Sequence, residues 1–117
     1  MSDEFELVSA PDKLAVSVKL KGYATENQFE AVQTNLLPFL QEGKNRILLD
    51  FSDCTLINSP GLSALIELIL TVKEDYFGRL MVSGLPPLFE DVFSIAGLLD
   101  MVERSATLDT GLQELSM

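Results

Sequence analysis

The 117-residue chain contains no histidine and a single cysteine, Cys54. Those absences remove whole classes of chemistry. Without imidazole there is no Ser-His-Asp relay and no other histidine-based acid–base step, and with one thiol there are too few good ligands for a zinc or other transition-metal site. A disulfide framework is excluded for the same reason. A nucleophilic or redox-active thiol needs a cationic neighbour to depress its pKa, and the surrounding residues, DFSDCTLIN, supply none. Cys54 therefore reads as a small buried hydrophobe. No glycine-rich phosphate loop is present either, so the sequence assigns no catalytic residue, no metal and no cofactor.

Positive charge is also scarce. Eight basic residues against eighteen acidic ones leave a formal net charge of −10, which repels phosphate backbones and anionic lipid headgroups alike. Nucleic acid and membrane surfaces are not expected partners. No apolar run reaches the roughly 18 residues that a membrane span requires, and the N-terminal MSDEFELVSA carries acids where a secretion signal carries bases. The expectation is a cytoplasmic protein without membrane insertion.

What the sequence does have is core. Of its residues 47% are hydrophobic, enough for one domain spanning residues 1–117. FELV at 5–8 and LAVSVKL at 14–20 alternate as strands, and Ala10, Pro11 and Asp12 supply a turn that pairs them antiparallel. After Gly22 the spacing becomes helical, with Thr25 or Asn27 as N-cap and Phe29, Val32, Leu36 and Leu40 on one stripe. Pro38 is expected to kink or shorten the last turn. RILLDF at 46–51 and RLMVS at 79–83 are short apolar runs of the kind buried on both faces of a sheet. Helices are expected over about 60–74 and 86–96, the latter closed by Gly97, followed by a weak strand near 102–105 and a last helix from Thr107 or Asp109. This order is α/β: a mixed sheet of four or five strands with about four helices packed against it.

Between the two most apolar segments lies a group of turn formers, Asn58, Ser59, Pro60 and Gly61. Serine followed by proline suits a helix start, with Ser59 as N-cap and Pro60 at the first helical position. In the helix that follows, Leu62, Leu65, Ile66, Ile69 and Val72 share one face. Ala64, Leu68 and Leu70 then fall on flanking or outer faces beside Ser63 and Glu67. An apolar strip of that kind is either a protein-binding surface or is covered by a loop or the tail helix. Leu88, in the first turn of the next helix, extends it. Asp50 and Asp53, with Asn58, form either a small oxygen site for Mg²⁺ or, for Asp53, the end of a strand and the start of a turn.

The segment LLDFSDCTLINSPGLSALIEL resembles the signature of STAS domains of the anti-sigma factor antagonist type, in which an acidic strand end and a hydrophobic pair lead into Asp-Ser-Ser-Gly-Leu at a helix start. Leu20 to Gly22, Gly78 to Gly84 and Ile95 to Leu98 (IAGL) match three further landmarks of that family in order and spacing. The resemblance implies a STAS-like α/β fold and a protein that is not an enzyme. The resemblance further implies docking onto an anti-sigma factor with serine kinase activity, in a partner-switching pathway that controls transcription. The implied partner-binding residues are Asn58, Ser59, Pro60, Gly61, Ser63, Ala64, Glu67, Leu68 and Leu88. Asn58 stands where the family has Asp, Ser59 matches the first serine, and Pro60 occupies the phosphoacceptor position, which therefore has no hydroxyl. Ser59 and Ser63 are the alternative acceptors. The second reading is a non-switching STAS subunit of a larger complex, a transporter or a signalling scaffold.

Overall fold

The computed structural model describes residues 5–9 and 15–115. Five strands, β1 (Phe5–Ser9), β2 (Ala15–Ala24), β3 (Arg46–Ile57), β4 (Arg79–Ser83) and β5 (Glu103–Ser105), lie side by side in chain order in one mixed sheet. Four α-helices, α1 (Glu26–Gln41), α2 (Ser59–Leu70), α3 (Pro87–Ile95) and α4 (Leu108–Leu115), accompany them. β1 runs antiparallel to β2, and every later neighbour is parallel. The α/β class and the mixed sheet match the expectation from sequence. The turn assigned to Ala10, Pro11 and Asp12 lies outside the described residues, as does Leu14.

Because successive parallel strands are also neighbours, right-handed crossovers place α1, α2 and α3 on one face. Val16, Val18, Leu49, Phe51 and Val82 from the sheet meet Phe29 and Val32 of α1, Leu65 and Ile69 of α2, and Phe89 and Phe93 of α3 in one core. Phe51 makes edge-on contacts with Phe89 at 6.0 Å and Phe93 at 5.6 Å, which anchor α3. On the opposite face α4 covers Ala15, Leu48 and Met81 with Leu115. Ile47, Leu48 and Leu49 are fully buried because helices lie on both sides of them, which is why this stretch is apolar without alternation.

Two strands run further than the sequence suggests. β2 continues through Gly22 to Ala24 and β3 continues to Ile57, paired as Lys21↔Asp53, Gly22↔Cys54, Tyr23↔Leu56 and Ala24↔Ile57 across two register shifts. Asp53 is therefore inside a strand and does not begin a turn. The shifts explain the error: each breaks the period-2 alternation on which a strand reading depends. In α1, Thr25 is the N-cap, accepting from the Gln28 N–H, and the helix runs past Pro38 to Gln41.

At its far end α2 widens into a π turn over Thr71–Asp75. Phe77 follows in the left-handed region at φ +52°, and the Gly78 N–H donates to the Val72 carbonyl at 2.8 Å. A left-handed conformation in a non-glycine residue costs on the order of 1–3 kcal/mol and persists only where its surroundings over-determine it.

Candidate functional site

The start of α2 is set by Asn58. Its backbone is extended (φ −99°, ψ 172°) and its side-chain oxygen accepts from the Gly61 N–H at 2.7 Å, while its carbonyl accepts from the Leu62 N–H at 2.9 Å. Asn58, and not Ser59, is the N-cap. Ser59 and Pro60 are the first two helical residues, both exposed. The shift by one residue follows from the length of β3, since the last extended residue before a helix is the one whose side chain can fold back onto the free N–H groups. The Ser59 hydroxyl is thereby released from the capping role.

Burial sorts the expected docking residues into two groups. Asn58 is half-buried, Ser59, Pro60, Ser63 and Glu67 are exposed, and Leu88 is 60% exposed. Gly61, Ala64 and Leu68 point inward instead: Ala64 is 8% exposed and Leu68 is fully buried. That corrects the outward assignment of Ala64 and Leu68. α2 lies against α1 as well as against the sheet, so its buried face is wide enough to take in both, and Leu62 and Ile66 become the half-buried flank. Leu70 is the apolar residue of α2 that does reach solvent.

Two exposed residues beside this surface escaped the sequence reading. Tyr23 and Leu56 are register partners across the β2–β3 extension and each is 45% exposed. A sequence signal existed in the aromatic after Gly22, but placing the strand ends at residues 20 and 51 hid it. They stand at the strand ends that lead into α1 and α2, so exposed apolar side chains precede the helix start that carries the Ser59 and Ser63 hydroxyls.

The carboxylates below the site do not converge on an ion. The Asp50 carboxylate is buried and accepts from the Ser52 N–H and hydroxyl, each at 3.1 Å, and from Ser83 Oγ at 3.4 Å. Asp53 pairs with Lys19 at 3.3 Å, and Asn58 is committed to its cap. Among the described residues no group of three or more His, Cys, Asp or Glu side chains is arranged to hold a metal. Cys54 is buried, and that burial pushes its thiol up to about 11; Sγ donates to the Leu56 carbonyl at 3.7 Å. No described helix is long and apolar enough to cross a membrane.

The helix start is also a restricted anion site. Backbone N–H groups at an N-terminus attract phosphate, but Pro60 has none and the Gly61 N–H is already taken by Asn58. What the surface presents is exposed apolar area and hydroxyls.

No curated protein matches the chain. Solved structures do: SpoIIAA, a Bacillus cell fate determinant, in its phosphorylated form is 18% identical over 96% of this chain and 99% of that one, with a TM-score of 0.73. An anti-sigma factor antagonist from Mycobacterium paratuberculosis is 16% identical over 98% and 97%, TM-score 0.73, and an RsbS variant from Moorella thermoacetica is 18% identical over 94% and 92%, TM-score 0.76. At that identity the likeness establishes the fold. A family model described as "Mlab, STAS domain" matches residues 9–103, from the end of β1 into β5. That match takes in most of the chain, including both the helix-opening turn and the strands that carry it, and the chain belongs to the STAS domain family.

Proposed function

We propose that this protein is an anti-sigma factor antagonist: a single regulatory STAS domain, acting in the cytoplasm and without catalysis of its own, that binds an anti-sigma factor with serine kinase activity. The observation that carries this reading is the exposed face at the start of α2, where Ser59, Pro60 and Ser63 stand in solvent above a rigidly packed helix. Asn58, Tyr23, Leu56, Glu67 and Leu88 complete the docking surface. Gly61, Ala64 and Leu68 support it from beneath by fixing α2 against β2 and α1.

Pro60 gives the switch its particular character. At the family's phosphoacceptor position there is no hydroxyl, so a complex formed here is not released by phosphate on residue 60. Ser59, free of the cap, and Ser63, a turn further on, are the available acceptors. A phosphate on either adds about −1.5 to −2 charges to a helix start that offers fewer free N–H groups than usual. The second reading, a non-switching subunit of a transporter or signalling complex, is favoured by the same proline.

The test is incubation of the protein with ATP and the anti-sigma kinase of its own pathway, followed by mass spectrometry. No phosphate on residues 59–63 and a persistent complex are expected. Pro60→Ser accepts phosphate and loosens the complex. Stoichiometric phosphate on Ser59 or Ser63 in the parent protein places the switch there instead, and failure to bind any anti-sigma factor sinks the antagonist reading in favour of the permanent subunit.

A further inference from the structure

We propose that the loop joining α2 to β4 is a second docking site, at the opposite end of the sheet from Asn58, and that it inserts the Phe77 ring into an apolar cleft rimmed by lysine or arginine on a protein partner. Phe77 is 86% exposed. It is the one non-glycine residue with a positive φ among the described residues, and it sits just past a helical segment, where glycine is the usual choice. Neither burial nor backbone preference accounts for phenylalanine there.

The loop holds the Phe77 backbone in place. Asn45 Nδ2 donates to the Tyr76 carbonyl at 3.0 Å, and the Arg79 N–H donates to the Asn45 carbonyl at 3.0 Å. A Cβ on Gly78 would lie 2.1 Å from that same Asn45 oxygen, so the loop is seated on the turn after α1 with no room to slide. An aromatic side chain on a fixed backbone loses little freedom when it docks, and buried aromatics are among the anchors that dominate interface energies.

Charge selects the occupant. Glu74 and Asp75, just before Phe77, are exposed, as is Glu42 on the turn that carries Asn45. Of the cations at this end Arg79 pairs with Glu103, while Lys73 donates to the Met101 carbonyl at 2.6 Å, Arg46 donates to the Leu115 carbonyl at 2.6 Å, and Lys44 lies over the Phe39 ring. A second copy of this chain, at net charge −10, would set the same carboxylates against these. A cationic rim complements both the carboxylates and the negative face of the ring.

The experiment replaces Phe77 in the full chain with photoreactive p-benzoylphenylalanine, irradiates the native cells and sequences the cross-linked peptide. The proposal expects one protein other than this chain, joined through a peptide with lysine or arginine beside apolar residues. It expects the Glu74→Lys, Asp75→Lys double variant to lower the yield about tenfold or more, and Leu88→Asp, at the α2 end, to leave it unchanged. With the purified partner, Phe77→Gly weakens binding about tenfold or more while melting no lower than the parent, since glycine relieves the left-handed strain. No cross-link, a cross-link to a second copy only, a peptide without cations, indifference to the charge reversal, or loss with Leu88→Asp each overturns it.

Discussion

Gly61 lies so close to Ala24 that a Cβ on it would stand 2.2 Å from the Ala24 carbonyl oxygen. This contact joins the end of β2 to the first turn of α2 and sets how far the helix approaches the sheet. Gly61→Ala therefore forces backbone against backbone. The expected loss is about 1–3 kcal/mol in urea unfolding, and a loss below about 0.5 kcal/mol would mean that α2 can slide away freely.

Asn58 and Ser59 should part company on substitution. Asn58→Ala removes the side-chain oxygen that accepts the Gly61 N–H and is expected to lower stability by about 1 kcal/mol. Ser59→Ala, at an exposed position outside the cap, should change it by no more than about 0.5 kcal/mol. The opposite ranking in denaturant titrations would restore Ser59 as the cap.

Leu68 and Leu88 test the division between support and surface. Leu68 is fully buried and Leu88 is 60% exposed. Leu68→Ala should cost about 2–5 kcal/mol, whereas Leu88→Asp should keep the circular dichroism spectrum and melting temperature of the parent. A folded, stable Leu68→Asp protein would show that residue to be outward after all.

The Cys54 thiol gives stability an alkaline edge. Burial raises its pKa from an ordinary 9.0 to about 11 in the folded protein, so between those values the unfolded chain has lost its proton and the folded chain retains it. The folded state binds more protons there, and stability falls as pH rises through that window before levelling above it. Cys54→Ala should flatten that part of the unfolding curve. In the native protein a thiol reagent should label Cys54 only at the rate of opening.

The fold was largely legible because its signals are local. Phe29, Val32, Leu36 and Leu40 repeat at helical spacing and are all buried; the run at Ile47 to Leu49 declares a strand covered on both faces; Gly97, at φ +77°, ends α3 where a glycine was expected to. The α2 surface was less legible. Apolar spacing alone identified Leu65, Ile69 and Val72 correctly, yet it could not tell that a second helix lies along the flank of α2 and turns Ala64 and Leu68 into core.

The sequence by itself determined the strand and helix order, the sheet-facing stripe, the missing hydroxyl at Pro60 and the exclusion of histidine and disulfide chemistry, since each depends on residue type or on spacing within one element. Tertiary structure decided what depends on contacts between elements. The register shifts that carry β2 to Ala24 and β3 to Ile57 moved the cap from Ser59 to Asn58 and brought Tyr23 beside Leu56. Packing of α1 against α2 decided which leucines are surface, because burial is a property of the neighbour as much as of the residue, and no single helix records what lies across from it.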